Sequence, residues 1–152
     1  MKPCPCGSQQ LYVECCQPLH LFQRHAGTPK ALMASRYCAF ACGQAHYLFE
    51  THHPDFRRDL SEAELAEACT QSQWIGLQID ADEMHENEGY VTFKAWYREG
   101  KTVAALHERS RFIRQQQRWY YCDGELFKSP KAPSRNDPCI CGSTQKFKRC
   151  CG

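Results

Sequence analysis

Long apolar runs and net charge are both scarce in this sequence. No stretch approaches the eighteen or more consecutive apolar residues of a membrane-spanning helix, and the opening MKPCPCGSQQ lacks the apolar core of a secretory leader. The expectation is a cytoplasmic protein with no stable membrane insertion. The formal charge of +2 at pH 7 is too small to argue by itself for nucleic acid or an acidic membrane. Cysteine, by contrast, is abundant, with twelve in 152 residues. Hydrophobic residues at 42% and charged residues at 24% are ordinary for a globular chain, so most of the sequence is expected to fold.

The two ends repeat each other. Placed without a gap, Pro3, Cys4, Cys6, Gly7, Ser8, Gln10, Cys15 and Cys16 meet Pro138, Cys139, Cys141, Gly142, Ser143, Gln145, Cys150 and Cys151, and Tyr12 meets Phe147. Each copy reads C-x-C-x8-C-C. A secreted disulfide scaffold would spread its cysteines differently, whereas a CxC and a CC pair at each end of a conventionally apolar middle suit metal ligation. Zn2+ takes four soft ligands in a tetrahedron at about 2.3 Å. Gly7 and Gly142 allow a turn close to the metal, and Ser8 and Ser143 are placed to cap short helices that return the second pair.

Cys4, Cys6, Cys15 and Cys16 are therefore the expected ligands of one ion, and Cys139, Cys141, Cys150 and Cys151 those of another, giving two Zn2+ per chain. Structural zinc leads this reading; an iron–sulfur centre or other thiophilic metal, then disulfide or redox chemistry, follow it. Four thiolates leave no open position for water, so the sites are structural, and the apo ends should be loose because segments so short bury little apolar surface. Each site carries a net −2, so two of them turn the formal +2 into −2.

Between the ends, residues 28–127 form one candidate domain. Thr28 and Pro29 begin a long, largely covered helix through KALMASRYCAFACGQAHYLFE, with Gly43 as its weak point. Ser61 and Glu64 make a capping box for a second helix. WIGLQIDA puts Ile75, Leu77, Ile79 and Ala81 on one strand face, and YVTFKAWY does the same with Val91, Phe93, Ala95 and Tyr97. VAALHERSRFIR and RWYYCDGELF complete an antiparallel meander, so the fold class is α+β. KSPKAPSRND then reads as a polar linker.

The C-terminal segment resembles the SEC-C motif, the zinc tail also found on the SecA translocation ATPase, at Cys139, Cys141, Gly142, Ser143, Lys146, Phe147, Lys148, Cys150, Cys151 and Gly152. The N-terminal segment resembles a diverged second copy. With an NTF2-like middle ending RFIRQQQRWYYCDG, the arrangement resembles the bacterial YchJ family. The resemblance implies a cone-shaped domain whose curved antiparallel sheet packs on helices, between SEC-C-like modules at 1–20 and 135–152. The resemblance to the tail of the translocation ATPase implies contacts of the kind in which that tail is implicated, with a chaperone, ribosomes and membrane surfaces. Here such a tail would act through Lys146, Lys148 and Arg149, assisted by Lys128, Lys131 and Arg135, with a protein or ribosomal partner. A solvated basic face that offsets the site's negative charge explains the same residues. The first copy carries Glu14 where the second has Arg149.

An alternative is an enzyme or small-ligand binder with a central pocket. Its acid–base groups would be His107 or Glu108 with Asp80; cross-strand ion pairs account for the same residues without chemistry. Cys38, Cys42 and His46, at i, i+4 and i+8 with Cys69 or His52 as a fourth, could line one helix face as a third metal set, but buried cysteine is foremost a small core residue, and Cys122 reads the same way. Trp74, Trp96, Trp119, Tyr120 and Tyr121 suit packing on the helices or on a second subunit across the sheet, hence a homodimer, better than base stacking.

Overall fold

Turn chemistry and apolar alternation place the elements. The structure is a computed structural model and describes residues 2–141, 143 and 145–151; Gly142 and Gly152, invoked above, lie outside the described residues. A one-turn helix α1 (Gln17–His20) is followed by α2 (Pro29–Cys42), where the Thr28 side chain accepts the Ala31 N–H at 3.0 Å. Gly43, left-handed at φ 76°, ends α2, and α3 (Ala45–Glu50) resumes two residues later. The single long helix expected here is thus two, because a φ of that sign suits glycine and breaks the ladder. In α4 (Glu62–Gln71) half of the expected capping box forms: Ser61 Oγ accepts the Glu64 N–H at 3.1 Å, while the Glu64 carboxylate meets the Ser61 hydroxyl at 3.3 Å instead of the Ser61 N–H.

Strands β1 (Gln73–His85), β2 (Glu88–Glu99), β3 (Thr102–Gln115) and β4 (Arg118–Phe127) form an antiparallel sheet in the order β1-β2-β3-β4. The β3–β4 hairpin turns on Gln116 and Gln117, both at positive φ, which matches the twist of paired strands. Val91, Phe93 and Ala95 of β2 face Leu32, Met33, Tyr37 and Leu48 in one core with Phe112 and Trp119. In β1, shifts of register between Trp74 and Gly76 and between Ile79 and Ala81 break the expected alternation. Trp74 therefore joins Leu77 and Ile79 against the core, while Ala81 is exposed.

The cone with a curved sheet is corrected by the topology. Four strands in meander order leave β1 and β4 as opposite edges of an open sheet. Helices cover one face; the chain's own C-terminal stretch covers part of the other. Pro130, Lys131, Pro133 and Ile140 share a groove with Gln78, Lys94 and Trp96, and Ser129 Oγ accepts the Ala105 N–H at 3.1 Å. Trp96 is buried on that outer face, its Nε1 donating to Gln78 Oε1 at 2.8 Å. Ile140 reaches β1 at Gly76, where any Cβ would overlap the Ile140 carbonyl.

Candidate metal centres

Among the described residues both cysteine segments make the same closing backbone contacts. Cys4 N–H donates to the Gln10 carbonyl at 2.7 Å and Cys139 N–H to that of Gln145 at 2.8 Å, closing a turn between the cysteine pairs. Isolated antiparallel bridges join Pro3 to Leu11 and Pro138 to Lys146. Single 3-10 turns, Tyr12–Glu14 and Phe147–Arg149, then bring back the second pair. In the first copy Gly7 adopts φ 87°, as a tight turn beside the sulfurs requires. The serines do not cap these turns. Ser8 Oγ accepts the Gln10 N–H and lies 3.2 Å from Cys15 Sγ, and Ser143 Oγ accepts the Gln145 N–H and donates to Cys150 Sγ at 3.2 Å. They serve the sulfur cluster because the turn, not the helix, is nearest.

Within each quartet the four sulfurs lie within 4.8 Å of one another, and every cysteine is a free thiol. Cys6 and Cys15 are 3.6 Å apart, Cys15 and Cys16 3.9 Å, Cys141 and Cys150 3.3 Å, Cys150 and Cys151 3.9 Å. A tetrahedron with metal–sulfur bonds of about 2.3 Å has edges of about 3.8 Å, so the donor sets fit a four-coordinate thiophilic ion. Disulfides would need sulfurs at about 2.05 Å.

The thiols are already polarised unequally. Contact with Cys16, working against burial, holds Cys6 down at about 4, while contact with Cys38 pushes Cys16 far up. In the other quartet burial opposes ionisation, but contacts from Ser143, Cys150 and Cys139 still bring Cys141 to about 6. Burial raises Cys4 and Cys151. Each cluster thus favours a thiolate beside neutral thiols, and a dication would draw off the remaining protons.

The surroundings of the copies differ. Cys4 and Cys16 are buried against Cys38 of α2. His20 Nε2 donates to the Ser35 carbonyl of α2 at 2.9 Å, which leaves Nδ1 to accept the Tyr12 hydroxyl at 2.7 Å, and burial lowers the His20 pKa. Arg24 donates to the Glu14 and Cys15 carbonyls. At the other end Phe147 has no hydroxyl to offer. Cys150 is exposed, as are Lys146, Lys148 and Arg149, none of which is ion-paired with another described residue. Lys148 N–H donates to the Arg135 carbonyl at 3.0 Å, setting Arg135 beside them. The two modules meet across a groove of about 490 Å³ lined by Pro3, Cys4, Tyr37, Trp74, Cys141 and Ser143.

The alternative acid–base residues are divided by the sheet. Glu108 faces a cavity of about 310 Å³ beneath α2 and α4, its Oε1 accepting from Ser110 at 2.8 Å and Tyr121 at 3.1 Å. His107 and Asp80 do not line that cavity: His107 stacks on Phe127 at 5.0 Å, and Asp80 pairs with Lys94 at 2.9 Å. The three are not brought together. Arg36 also lines the cavity, bonding the Leu48 carbonyl at 2.8 Å and Thr51 Oγ1 at 2.7 Å, with burial lowering its pKa to about 10. Nothing in its local sequence marks it. Cys42 and Cys38 stand together on α2, but His46 instead meets Glu62 at 3.2 Å, Cys69 meets the Ala39 carbonyl, and His52 packs on Tyr121.

A family model described as YchJ, middle NTF2-like domain, matches residues 28–124, and one described as SEC-C motif matches residues 135–152. A UPF0225 protein from Shewanella sp. (strain MR-7) is 44% identical over 159 residues, spanning 99% of this chain and 96% of its own. A SEC-C motif containing protein from Rhodopseudomonas palustris, solved in solution, superposes with a TM-score of 0.77 at 34% identity, covering 84% of this chain and 100% of that one. A crystal structure of a SEC-C motif containing protein from Psychrobacter arcticus gives 0.73 at 30% identity over 99% and 96%. Two sulfur quartets, one at either end of an NTF2-like middle, and these matches along the chain give one conclusion: it belongs to the YchJ family.

Proposed function

We propose that this is a zinc-binding interaction protein in which the middle, residues 28–127, scaffolds metal-knit modules at 1–20 and 135–152. Cys4, Cys6, Cys15 and Cys16 ligate Zn2+ at one end, and Cys139, Cys141, Cys150 and Cys151 at the other. The carrying observation is the pair of free-thiol quartets of tetrahedral dimensions. With four thiolates on each ion, zinc supplies order and no reaction. Thiolates persist in a reducing compartment, which supports the cytoplasm as the place of action. No helix among the described residues is long and apolar enough to cross a membrane.

The docking element is the C-terminal module. Lys146, Lys148 and Arg149 project from a metal-held turn without ion-pair partners among the described residues, ready for an acidic protein or ribosomal surface. A homodimer across the sheet has less support, since the outer face around Trp96 is covered by residues 130–140. Replacing the three cations with alanine should leave zinc content unchanged and abolish low-salt co-sedimentation with purified ribosomes. Undiminished sedimentation would reject the basic docking surface.

A further inference from the structure

Four cysteines lie outside the quartets: Cys38, Cys42, Cys69 and Cys122. Cys69 and Cys122 meet only backbone carbonyls. Cys38 and Cys42, one turn apart on α2, have sulfurs 3.8 Å apart, and Cys38 Sγ lies 3.7 Å from Cys4 Sγ. Cys38 is fully buried and shares one cluster with Cys4 and Cys16, against which Cys6 and Cys15 pack. Six sulfurs thus form a continuous group, from half-buried Cys6 and Cys15 through buried Cys4, Cys16 and Cys38 to exposed Cys42. Among the described residues the C-terminal quartet has no such extension.

We propose that the N-terminal module is a six-thiolate centre for two thiophilic divalent ions: Cys6 and Cys15 complete one, Cys38 and Cys42 complete the other, and Cys4 and Cys16 bridge them. This rests on the reading of the quartets as zinc sites. Two tetrahedral ions present eight positions, which six sulfurs fill when two are shared. The shared pair must be the one nearest α2, and Cys4 and Cys16 are the two quartet sulfurs that cluster with Cys38. Charge allows it. A second dication arrives with two further thiolates, so the pair of ions keeps the net −2 of a single closed site while six thiol protons are released. Four of the spacings, Cys6 to Cys15, Cys15 to Cys16, Cys4 to Cys38 and Cys38 to Cys42, at 3.6 to 3.9 Å, are those of edge lengths in tetrahedra with bonds of about 2.3 Å.

Zinc counted by native mass spectrometry on the full chain, purified under reducing conditions, decides the matter. Three ions per chain are expected. Two would overturn the six-thiolate centre while leaving both quartets standing; fewer than two would overturn the quartet reading as well. Cys42→Ser, at an exposed position that burdens no core, should lower the count from three to two, and an unchanged three would reject Cys42 as a ligand. Cobalt substitution reads the bridges without counting. In the wild type part of the Co2+ electron paramagnetic resonance signal should be silenced by coupling through shared sulfur and restored in Cys42→Ser; a full signal in the wild type would overturn the proposal.

Discussion

Cys4 and Cys139 begin the same turn, each donating its N–H to the carbonyl six residues on, yet one turn faces α2 and the other faces its own linker and the edge of β1. The quartets are alike because everything that shapes them is local: a closing backbone bond, a serine beside the sulfurs, a 3-10 turn. They differ because neighbours are not local. Tyr12 finds His20, and through it Ser35 of α2; Phe147 is buried but has no polar contact to make. One copy is thereby a piece of the domain, while the other presents its cations outward.

Metal removal should break this comparison most visibly. Binding of a structural zinc ion supplies about 10–16 kcal/mol of folding free energy in small peptides at pH 7. A strong chelator is therefore expected to expose residues 135–152 to protease at once and residues 2–20 only slowly, since the latter keep their packing on α2. Equal cleavage of the two ends would show that docking contributes nothing. A smaller intervention is Gly76→Val, which drives a side chain into the Ile140 backbone. Overpacking of this kind costs about 1–3 kcal/mol. Faster hydrogen exchange over 129–140 with undiminished zinc is the expected result, and unchanged exchange would deny that Gly76 seats the C-terminal module.

The smallest effect concerns His20. His20→Ala removes two hydrogen bonds of about 1 kcal/mol each and should loosen residues 12–20 alone by hydrogen exchange. Acid should act in the same sense. The buried ring has a pKa below its ordinary 6.5, so as pH falls through that value the released module takes up a proton that the docked one refuses, and docking weakens. Residues 135–152 contain no histidine, so loss of order between pH 7 and 5 should begin at the N-terminal module in zinc-saturated protein and be flattened in His20→Ala.

Much of this architecture is legible in the residues themselves. Thr28, Ser61 and the alternation of Val91, Phe93 and Ala95 place helices and strands because caps and strand period act over a few residues. The sulfur quartets are legible for the same reason. Sheet closure is not, since nothing in a strand's period tells an open meander from a cone. The association of Cys38 with Cys4 spans 34 residues of chain and depends on how α2 is seated, so the cysteine reads only as a core residue. Likewise Pro130 and Pro133 read as linker, and Gly76, whose missing Cβ permits the close approach of Ile140, reads only as part of a strand. Arg36, inside an apolar helix, acquires its role from the Leu48 carbonyl of α3 and the Thr51 hydroxyl, which sequence proximity does not reveal.

Trp74 stands in the groove between both ends, near Cys4 on one side and Cys141 on the other. Its indole is thus a built-in optical probe shared by two stations: paramagnetic or light-absorbing ions entering either module should dim its emission. Read as the difference from Trp74→Phe, which keeps Trp96 and Trp119, a stepwise titration would isolate the response of this one indole as the termini fill.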